Sequence, residues 1–196
     1  MNEQTFESIV GEILESLGKT LEGLKRCLFS GNKRLMNETK NAFAASLRST
    51  LPAFNEAIQR KGKGESHSDG RLPALLPACQ RLGIAMEDAV GGVQGIVETG
   101  VCLTDKALAE ISEVVALLKD LSRDTNDAIS SGNTHFREYA VSSAHYIRER
   151  SVEAGLEHQE RLVTGVCSPK ASFLYLTVMD SLKRVAQELG NLCEKA

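Results

Sequence analysis

The sequence predicts an all-α fold of six antiparallel helices, and three features of the chain lead to that prediction. Apolar residues recur every three or four positions through six long segments, which is the period of an amphipathic helix. No long segment alternates apolar and polar residues, as a half-buried strand would. Most connections are short and rich in Gly, Ser and Asn, so consecutive helices are expected to run in opposite directions.

The first two helices are predicted over residues 6–28 and 35–58, where Leu, Ile, Val and Phe recur on one face. The tripeptide SGN at 30–32 separates them, because Gly suits the left-handed residue that ends a helix and Asn suits the N-cap of the next. Pro52 lies inside the second segment and predicts a kink or an early end there. The polar, Gly-rich stretch 61–70 is predicted to be a flexible loop.

The third and fourth helices are predicted over 72–97 and 107–129, and the fourth has the most regular apolar face. The third contains VGGVQG at 90–95 without the Lys-Ser or Lys-Thr of a phosphate-binding loop. Its glycines are expected to allow another helix to approach closely, or to weaken the helix by about 1 kcal/mol each. TGVC at 99–102 joins the two helices. Its Gly is predicted to end the third helix, its Val to make the apolar contact of a Schellman ending, and Thr104 to cap the fourth.

The fifth and sixth helices are predicted over 136–162 and 174–192. The first apolar positions of the fifth are Phe136, Tyr139, Tyr146 and Ile147. A second TGVC, at 164–167, is predicted to turn the chain in the same way as the first, with Ser168 as the next N-cap and Pro169 as the first helical residue.

The five cysteines are scattered without a CxxC pair, which favours free thiols and a reducing compartment. Cys27, Cys79 and Cys193 lie on or beside apolar faces and are predicted to be small buried side chains. The two TGVC turns are expected at the same end of the bundle, so a disulfide between Cys102 and Cys167 is conceivable. The inferred compartment argues against it.

The chain shows signs of an internal duplication. A second SGN turn at 131–133 follows the first by 101 positions. Shifting the chain by that distance lays helices four to six approximately on helices one to three. We therefore predict two tandem three-helix bundles with up-and-down packing like that of spectrin repeats. The first unit spans 1–100 and the second 101–196, and together they form one domain.

Composition limits the classes of function. The net charge is −3, so the chain has no overall basic field and nucleic acid is not expected as a partner. No segment reaches the roughly 18 continuous apolar residues that a membrane span needs. Acidic residues near the N-terminus argue against a signal peptide, which would begin with basic residues. We therefore expect a soluble, cytoplasmic protein.

The fifth helix carries the densest group of charged residues, between 148 and 161. A solvated face with pairs at i and i+4 explains most of it. In the functional alternative, Arg150, Glu157 and His158 line a polar site for an anion, a cation or a partner protein. No Glu-x-x-His motif of a di-metal bundle occurs. A Ser-His-Asp or Cys-His site would assemble only in space, so the sequence leaves that class open.

The C-terminal third has a familiar pattern. The stretch HQERLVTGVCSPKASFLYLTVMDSLKRVAQELGNL resembles the last helical hairpin of the PhoU family, especially the PhoU-like cytosolic domains attached to sodium/phosphate cotransporters. The family's His-x-x-Arg-Leu-x-x-Gly pattern is matched by His158, Arg161, Leu162 and Gly165. Its Leu-Glu-Arg-Ile-Gly-Asp-like sequence is matched at 182–187, which includes Arg184, and is followed by Asn191.

The resemblance extends over all six helices, and it implies a doubled three-helix bundle. It also implies a role in controlling phosphate uptake through contact with a membrane phosphate transporter or a sensor histidine kinase. Many members of the family bind iron or zinc clusters through Glu/Asp-x-x-x-Asp pairs on the third and sixth helices. The corresponding pairs here are Gly83 with Glu87 and Lys183 with Gln187.

Only one of those four positions keeps a carboxylate. Because a cation cluster needs anionic oxygen ligands, we expect no metal cluster in the second unit and at best a weak one in the first. If iron or zinc binds, Glu87, Asp88 and Glu188 are the remaining candidate ligands.

Three functions remain as hypotheses. The first is a non-enzymatic regulator of phosphate uptake, as a monomer or a homodimer, which is either a free cytosolic protein or the soluble part of a transporter at the inner face of the membrane. The second is a metal-dependent enzyme or metal store that uses the polar residues of the fifth helix. The third is a structural adaptor without a link to phosphate. The enzyme is the least expected, because no complete set of catalytic residues or metal ligands is visible.

Overall fold

The computed structural model describes residues 6–62 and 72–195, and within these ranges it contains six helices and no strand. The helices are α1 (Phe6–Ser30), α2 (Lys33–Gly62), α3 (Leu72–Thr99), α4 (Asp105–Ser131), α5 (Thr134–Val163) and α6 (Pro169–Lys195). The predicted all-α fold class is confirmed, and each predicted segment lies within one of these helices. Residues 63–70 of the predicted loop 61–70 lie outside the described residues.

The second helix does not end at its proline. It continues through Pro52 to Gly62, so the prediction of an early end is wrong, while a kink at this point stays a prediction. Pro52 has no N–H to donate to the carbonyl of Arg48. Both residues are exposed, so water can replace the missing hydrogen bond and the helix can continue.

Four of the connections contain a glycine in the left-handed conformation, as predicted. The φ angles are 59° at Gly31, 64° at Gly100, 63° at Gly132 and 74° at Gly165. The predicted asparagine caps are also present. Asn32 Oδ1 accepts a hydrogen bond from the backbone of Leu35, and Asn133 Oδ1 accepts one from the backbone of His135.

The two TGVC turns end their helices differently. In the second, Val166 N–H donates to Arg161 O at 2.9 Å and Gly165 N–H donates to Leu162 O at 3.1 Å, which is the Schellman pattern. In the first, Gly100 N–H makes a single bond to the carbonyl of the residue four positions earlier. The predicted apolar contact of Val166 is not formed, because this side chain is exposed.

The helices that follow these turns have the predicted hydroxyl caps. Thr104 Oγ1 accepts a hydrogen bond from Ala107 N–H at 3.2 Å, and Ser168 Oγ accepts one from Ala171 N–H at 3.3 Å. Both connections therefore act as a helix stop followed at once by a helix start.

Consecutive helices run antiparallel, and one apolar core extends through all six. The helices of each half contact one another, and the α1–α4 and α3–α6 pairs join the two halves. The α3–α6 pair is the most extensive of all. Since the same core crosses from one half to the other, the division at residue 100 stays a prediction about duplication in the sequence.

Glycines in α3 allow α6 to approach closely. A Cβ at Gly92 would lie 2.8 Å from Val178 Cγ2, and one at Gly95 would lie 3.1 Å from Leu174 Cδ2. A Cβ at Gly91 would meet no atom within 4 Å. The sequence left two roles open for these glycines, and the structure assigns close approach to two of them but not to Gly91.

None of the helices in the described ranges is both long and apolar enough to cross a bilayer.

Candidate functional site

A hydrogen-bonded network of buried polar side chains lies where α4, α5 and α6 meet. We call Glu110, His158, Arg161, Ser172 and Tyr175 the buried network. The carboxylate of Glu110 accepts hydrogen bonds from Arg161 Nη1 at 3.0 Å and Arg161 Nη2 at 2.7 Å. The hydroxyl of Tyr175 donates to the same carboxylate at 2.6 Å. A buried carboxylate with a bidentate Arg and a hydroxyl donor is well compensated for its loss of water.

The tautomer of His158 follows from its neighbours. Arg161 Nη2 lies 3.1 Å from His158 Nδ1, and a guanidinium can only donate. Nδ1 therefore accepts, the ring proton lies on Nε2, and Nε2–H donates to Ser172 Oγ at 3.0 Å. Burial lowers the pKa of His158, the charge of Arg161 lowers it further, and Glu110 opposes both. His158 is therefore neutral at pH 7.

Tyr175 is fixed through both its ring and its hydroxyl group. Its ring stacks on His158 with the ring centroids 4.0 Å apart and an angle of 17° between the planes. Burial and the bond to Glu110 raise the pKa of Tyr175, so its hydroxyl stays protonated. In this arrangement both ring nitrogens of His158 and the hydroxyl of Tyr175 are already occupied, and the network fixes three helices against one another.

Charged side chains surround the network at the surface between α4 and α5. Lys106 Nζ lies 2.5 Å from Glu157 Oε2 and 3.8 Å from Glu110 Oε1. The hydrogen bond from Lys106 lowers the pKa of Glu157. Arg150 donates to Glu113 at 3.2 Å and to Glu153 at 2.7 Å. The structure therefore brings Arg150, Glu157, His158 and Arg161 to one region, as the polar-site hypothesis proposed, but pairs each of them internally.

The other two candidates from the sequence lie elsewhere, between α3 and α6. Arg184 Nη1 donates to Asp88 Oδ2 at 2.9 Å. Asn191 Nδ2 donates to Glu188 Oε2 at 2.9 Å, and Arg81 Nε donates to Glu188 Oε1, also at 2.9 Å. These residues form a second polar cluster that does not touch the buried network.

The three candidate metal ligands do not converge. Glu87 is exposed, and Asp88 and Glu188 each face an arginine. Among the described residues, no group of three or more His, Cys, Asp or Glu side chains is placed to hold a metal ion. An arginine already neutralises each of the two paired carboxylates, and a metal ion would have to displace it.

Five residues of the site were not predicted from the sequence: Lys106, Glu110, Glu113, Ser172 and Tyr175. Glu110 offered a signal, because it occupies an inward position of the most regular apolar helix, between Ala107 and Val114. A carboxylate at such a position predicts a buried partner. That partner is Arg161, which lies 51 positions further along the chain. No pattern in the sequence links the two residues.

All five cysteines are free thiols. Cys27, Cys79 and Cys193 are buried as predicted, and burial raises the pKa of Cys79 to about 12. In the TGVC turns, Cys167 is buried and Cys102 is exposed. The conceivable disulfide between these two residues is not formed.

Two open grooves, of about 770 and 870 Å³, lie along α1 on its α4 and α2 sides. Both include Lys119, whose ammonium group lies 2.5 Å from Glu22 Oε2. Their walls carry charges of both signs and are widely open to solvent.

The outer surface of α5 has an unusual composition. This helix buries mainly small residues, namely Ala140, Ala144, Ile147, Ser151, Ala154 and His158. Besides Val163 at its last position, it exposes five large ones, which we call the α5 apolar face: Phe136, Tyr139, Tyr146, Val152 and Leu156. Of the first four apolar positions of this helix in the sequence, Phe136, Tyr139 and Tyr146 are exposed and only Ile147 is buried. Small side chains inward let α5 lie close to α6, where a Cβ at Gly190 would meet Ala144 Cβ at 3.0 Å.

Comparison with models of known protein families and with curated proteins found no match to this chain.

Proposed function

We propose that this chain is a PhoU-like, non-enzymatic regulator of phosphate uptake or phosphate signalling. It acts by binding a membrane phosphate transporter or a sensor histidine kinase through the α5 apolar face. The observation that carries the proposal is the inverted composition of α5, with small residues inside and Phe, Tyr, Val and Leu outside. Aromatic residues are enriched at protein interfaces, and exposed apolar patches commonly mark them.

The state of the ionisable groups favours binding over catalysis. Glu110, His158 and Tyr175 occupy one another's hydrogen-bonding positions, so none is free to move a proton on a ligand. Asp88 and Glu188 are paired with arginines, which gives the metal-binding alternative no support. The apolar side chains of the α5 apolar face, by contrast, are about half exposed, so a partner can contact them.

The link to phosphate comes from the PhoU resemblance. The residues that carry it build the α5–α6 hairpin, with His158 and Arg161 in the buried network and Gly165 in the left-handed turn. A free cytosolic regulator and the soluble regulatory domain of a sodium/phosphate cotransporter would use the same surface. In both cases the protein would work in the cytoplasm at the inner face of the membrane. A homodimer is an alternative occupant of the α5 apolar face.

The test is co-purification of the chain with the phosphate transporter and the sensor kinase of its host. The double variant Tyr146→Ser/Leu156→Ser should lower recovery of the partner by at least tenfold, because two exposed anchor residues are removed. Ile84→Ser, which removes an exposed apolar residue from α3, is the matched control and should leave recovery unchanged.

A second measurement tests the phosphate link itself. Deletion of the gene should alter phosphate uptake or phosphate-responsive expression, and the double variant should reproduce the deletion. Unchanged uptake and expression in the deletion strain would refute the regulatory role. Loss of self-association in the double variant, with transporter and kinase recovery intact, would assign the α5 apolar face to a homodimer instead.

A further inference from the structure

Three of the five connections lie at one end of the bundle, which we call the turn end. They are α1–α2 at 31–32, α3–α4 at 100–104 and α5–α6 at 164–168. Contacts between helices place them together. Lys40 Nζ near the start of α2 lies 3.0 Å from Gln94 Oε1 near the end of α3. Leu174 near the start of α6 packs against Gly95.

The α1–α2 connection carries an exposed aromatic residue among cations. Phe29 is 59% exposed at the tip, two residues before the turn glycine Gly31 and three before the N-cap Asn32. Lys25 and Arg26 precede it by four and three positions, so they lie on the same face of α1. Lys33 follows on the other side of the turn, and no described carboxylate lies within ion-pair distance of these three cations.

The acidic residues near this tip are already held by other cations. Glu22 pairs with Lys119 at 2.5 Å, and Glu38 pairs with Arg34 at 2.8 Å. The charges of Lys25 and Arg26 also lower the pKa of Glu22, after the larger effect of Lys119. The α1–α2 tip therefore keeps a positive local charge although the whole chain is slightly acidic.

The last residue of α5, the α5–α6 connection and the start of α6 add more apolar surface at the same end. Val163 is 87% exposed, Phe173 is 71% exposed, and Val166 is also exposed. Lys170, on the first turn of α6, is exposed beside them. The exposed carboxylates Glu98, Asp105 and Glu160 at the turn end lie outside ion pairs among the described residues, and they belong to α3, α4 and α5 and not to the α1–α2 tip.

We infer that the turn end binds an anionic membrane surface, with Phe29 entering the interface and Lys25, Arg26 and Lys33 contacting acidic lipid headgroups. Val163, Val166 and Phe173 contact the same surface. Basic residues attract a protein to anionic lipids, and exposed apolar side chains insert at the level of the headgroups. This inference does not depend on the proposed function, since it requires lipid and neither a transporter nor a kinase.

The arrangement favours a lipid surface over a protein partner. The apolar side chains stand on separate turns at the end of the bundle, where each can enter a soft interface independently. A protein interface instead places its apolar anchors in a continuous, closely packed patch. The charge of the α1–α2 tip complements acidic headgroups.

The test is co-sedimentation of the full chain with vesicles. Vesicles of equal parts phosphatidylglycerol and phosphatidylcholine should bind the protein, and vesicles of phosphatidylcholine alone should not. Raising the salt from about 0.05 M to about 0.5 M should release it, because the surface attraction is screened. Each cation near an anionic surface contributes roughly fivefold in partitioning, so Lys25→Gln/Lys33→Gln should weaken binding about 25-fold.

Matched variants test whether vesicle binding depends on the α1–α2 tip itself or only on the overall charge and hydrophobicity of the protein. Arg148→Gln/Lys195→Gln removes the same charge from exposed positions away from the turn end and should bind within about twofold of the parent. Phe29→Ser should weaken binding about tenfold, whereas Phe136→Ser, which removes an exposed Phe near the start of α5, should not.

Circular dichroism of each surface variant should match that of the parent, which checks that the variant is folded. No binding to anionic vesicles, equal binding to both kinds of vesicle, or equal effects of tip and control variants would overturn the inference. Loss of vesicle binding in Tyr146→Ser/Leu156→Ser would overturn it as well, since that variant leaves the turn end intact.

Discussion

At the scale of residues, Tyr175 shows how the buried network contributes to stability. Its hydroxyl donates to the buried carboxylate of Glu110 at 2.6 Å, while its ring stacks on His158. Tyr175→Phe keeps the ring and removes one of the donors to a buried charge. We expect the free energy of unfolding, measured with urea, to fall by about 2 kcal/mol.

Tyr146→Phe is the control for this prediction, because Tyr146 is exposed. Its effect on the free energy of unfolding should stay within about 0.5 kcal/mol. Equal stabilities of the two variants would show that the bond to Glu110 contributes nothing.

His158 makes stability depend on pH in a definite direction. Burial and the charge of Arg161 lower its pKa, against the opposing charge of Glu110, with Ser172 and Tyr175 as its neutral neighbours on α6. In the unfolded chain the pKa returns to about 6.5. The native state binds the proton less well, so this stabilising contribution is complete above that value and is lost as the pH falls below it.

The measurement is urea denaturation at about pH 7.5 and about pH 5.5. The parent should lose stability at the lower pH, and His158→Gln should lose less, because Gln can bond to the same partners without titrating. The remaining histidines are present in both proteins and cancel in the comparison. An equal loss in both would assign the pH dependence to other groups.

At the scale of elements, α3 contains two adjacent glycines with opposite expected effects. Gly92→Ala would place a Cβ 2.8 Å from Val178 Cγ2 and push α6 away, so we expect a loss of about 1–3 kcal/mol. Gly91→Ala meets no atom within 4 Å and removes a poor helix former, so we expect a gain of up to about 1 kcal/mol. Thermal denaturation of both variants measures the difference, and a shift of the same sign in both would contradict the α3–α6 packing.

The fifth helix shows that an apolar period in the sequence does not always identify the buried face of a helix. A periodic pattern identifies a helix but assumes that its larger apolar residues face inward. In α5 the inward positions are Ala, Ser, one Ile and one His, because close packing against α6 leaves little room for larger side chains at most of them. Phe136, Tyr139 and Tyr146 follow a helical period as well, and they face solvent.

At the scale of the whole molecule, the shared core predicts that neither half is independent. The α1–α4 and α3–α6 contacts join the two halves, so fragments 1–103 and 104–196 would each expose a long apolar face. We expect the full chain to unfold in one cooperative transition by circular dichroism. We expect each fragment to lose helicity or to self-associate in analytical ultracentrifugation.

Mixing the two fragments is the matched control, since complementation should restore helicity and cooperative unfolding. A monomeric fragment with its own cooperative transition would show instead that the predicted three-helix units are physical domains.

The sequence alone determined the six helices and most of their ends. Periodicity, glycines that adopt the left-handed conformation and N-cap side chains act within a few residues, so they can be read locally. It also placed Arg150, Glu157, His158 and Arg161 in one region, because they share one helix.

Only the tertiary structure decided which partners those residues have and which face of α5 is buried. Glu110 meets Arg161 across 51 positions and Tyr175 across 65. Such contacts depend on the rotation and register of each helix against its neighbours. Rotation and register are set by the packing of all six helices together, with small residues where two helices approach most closely. No single segment of the chain therefore determines them.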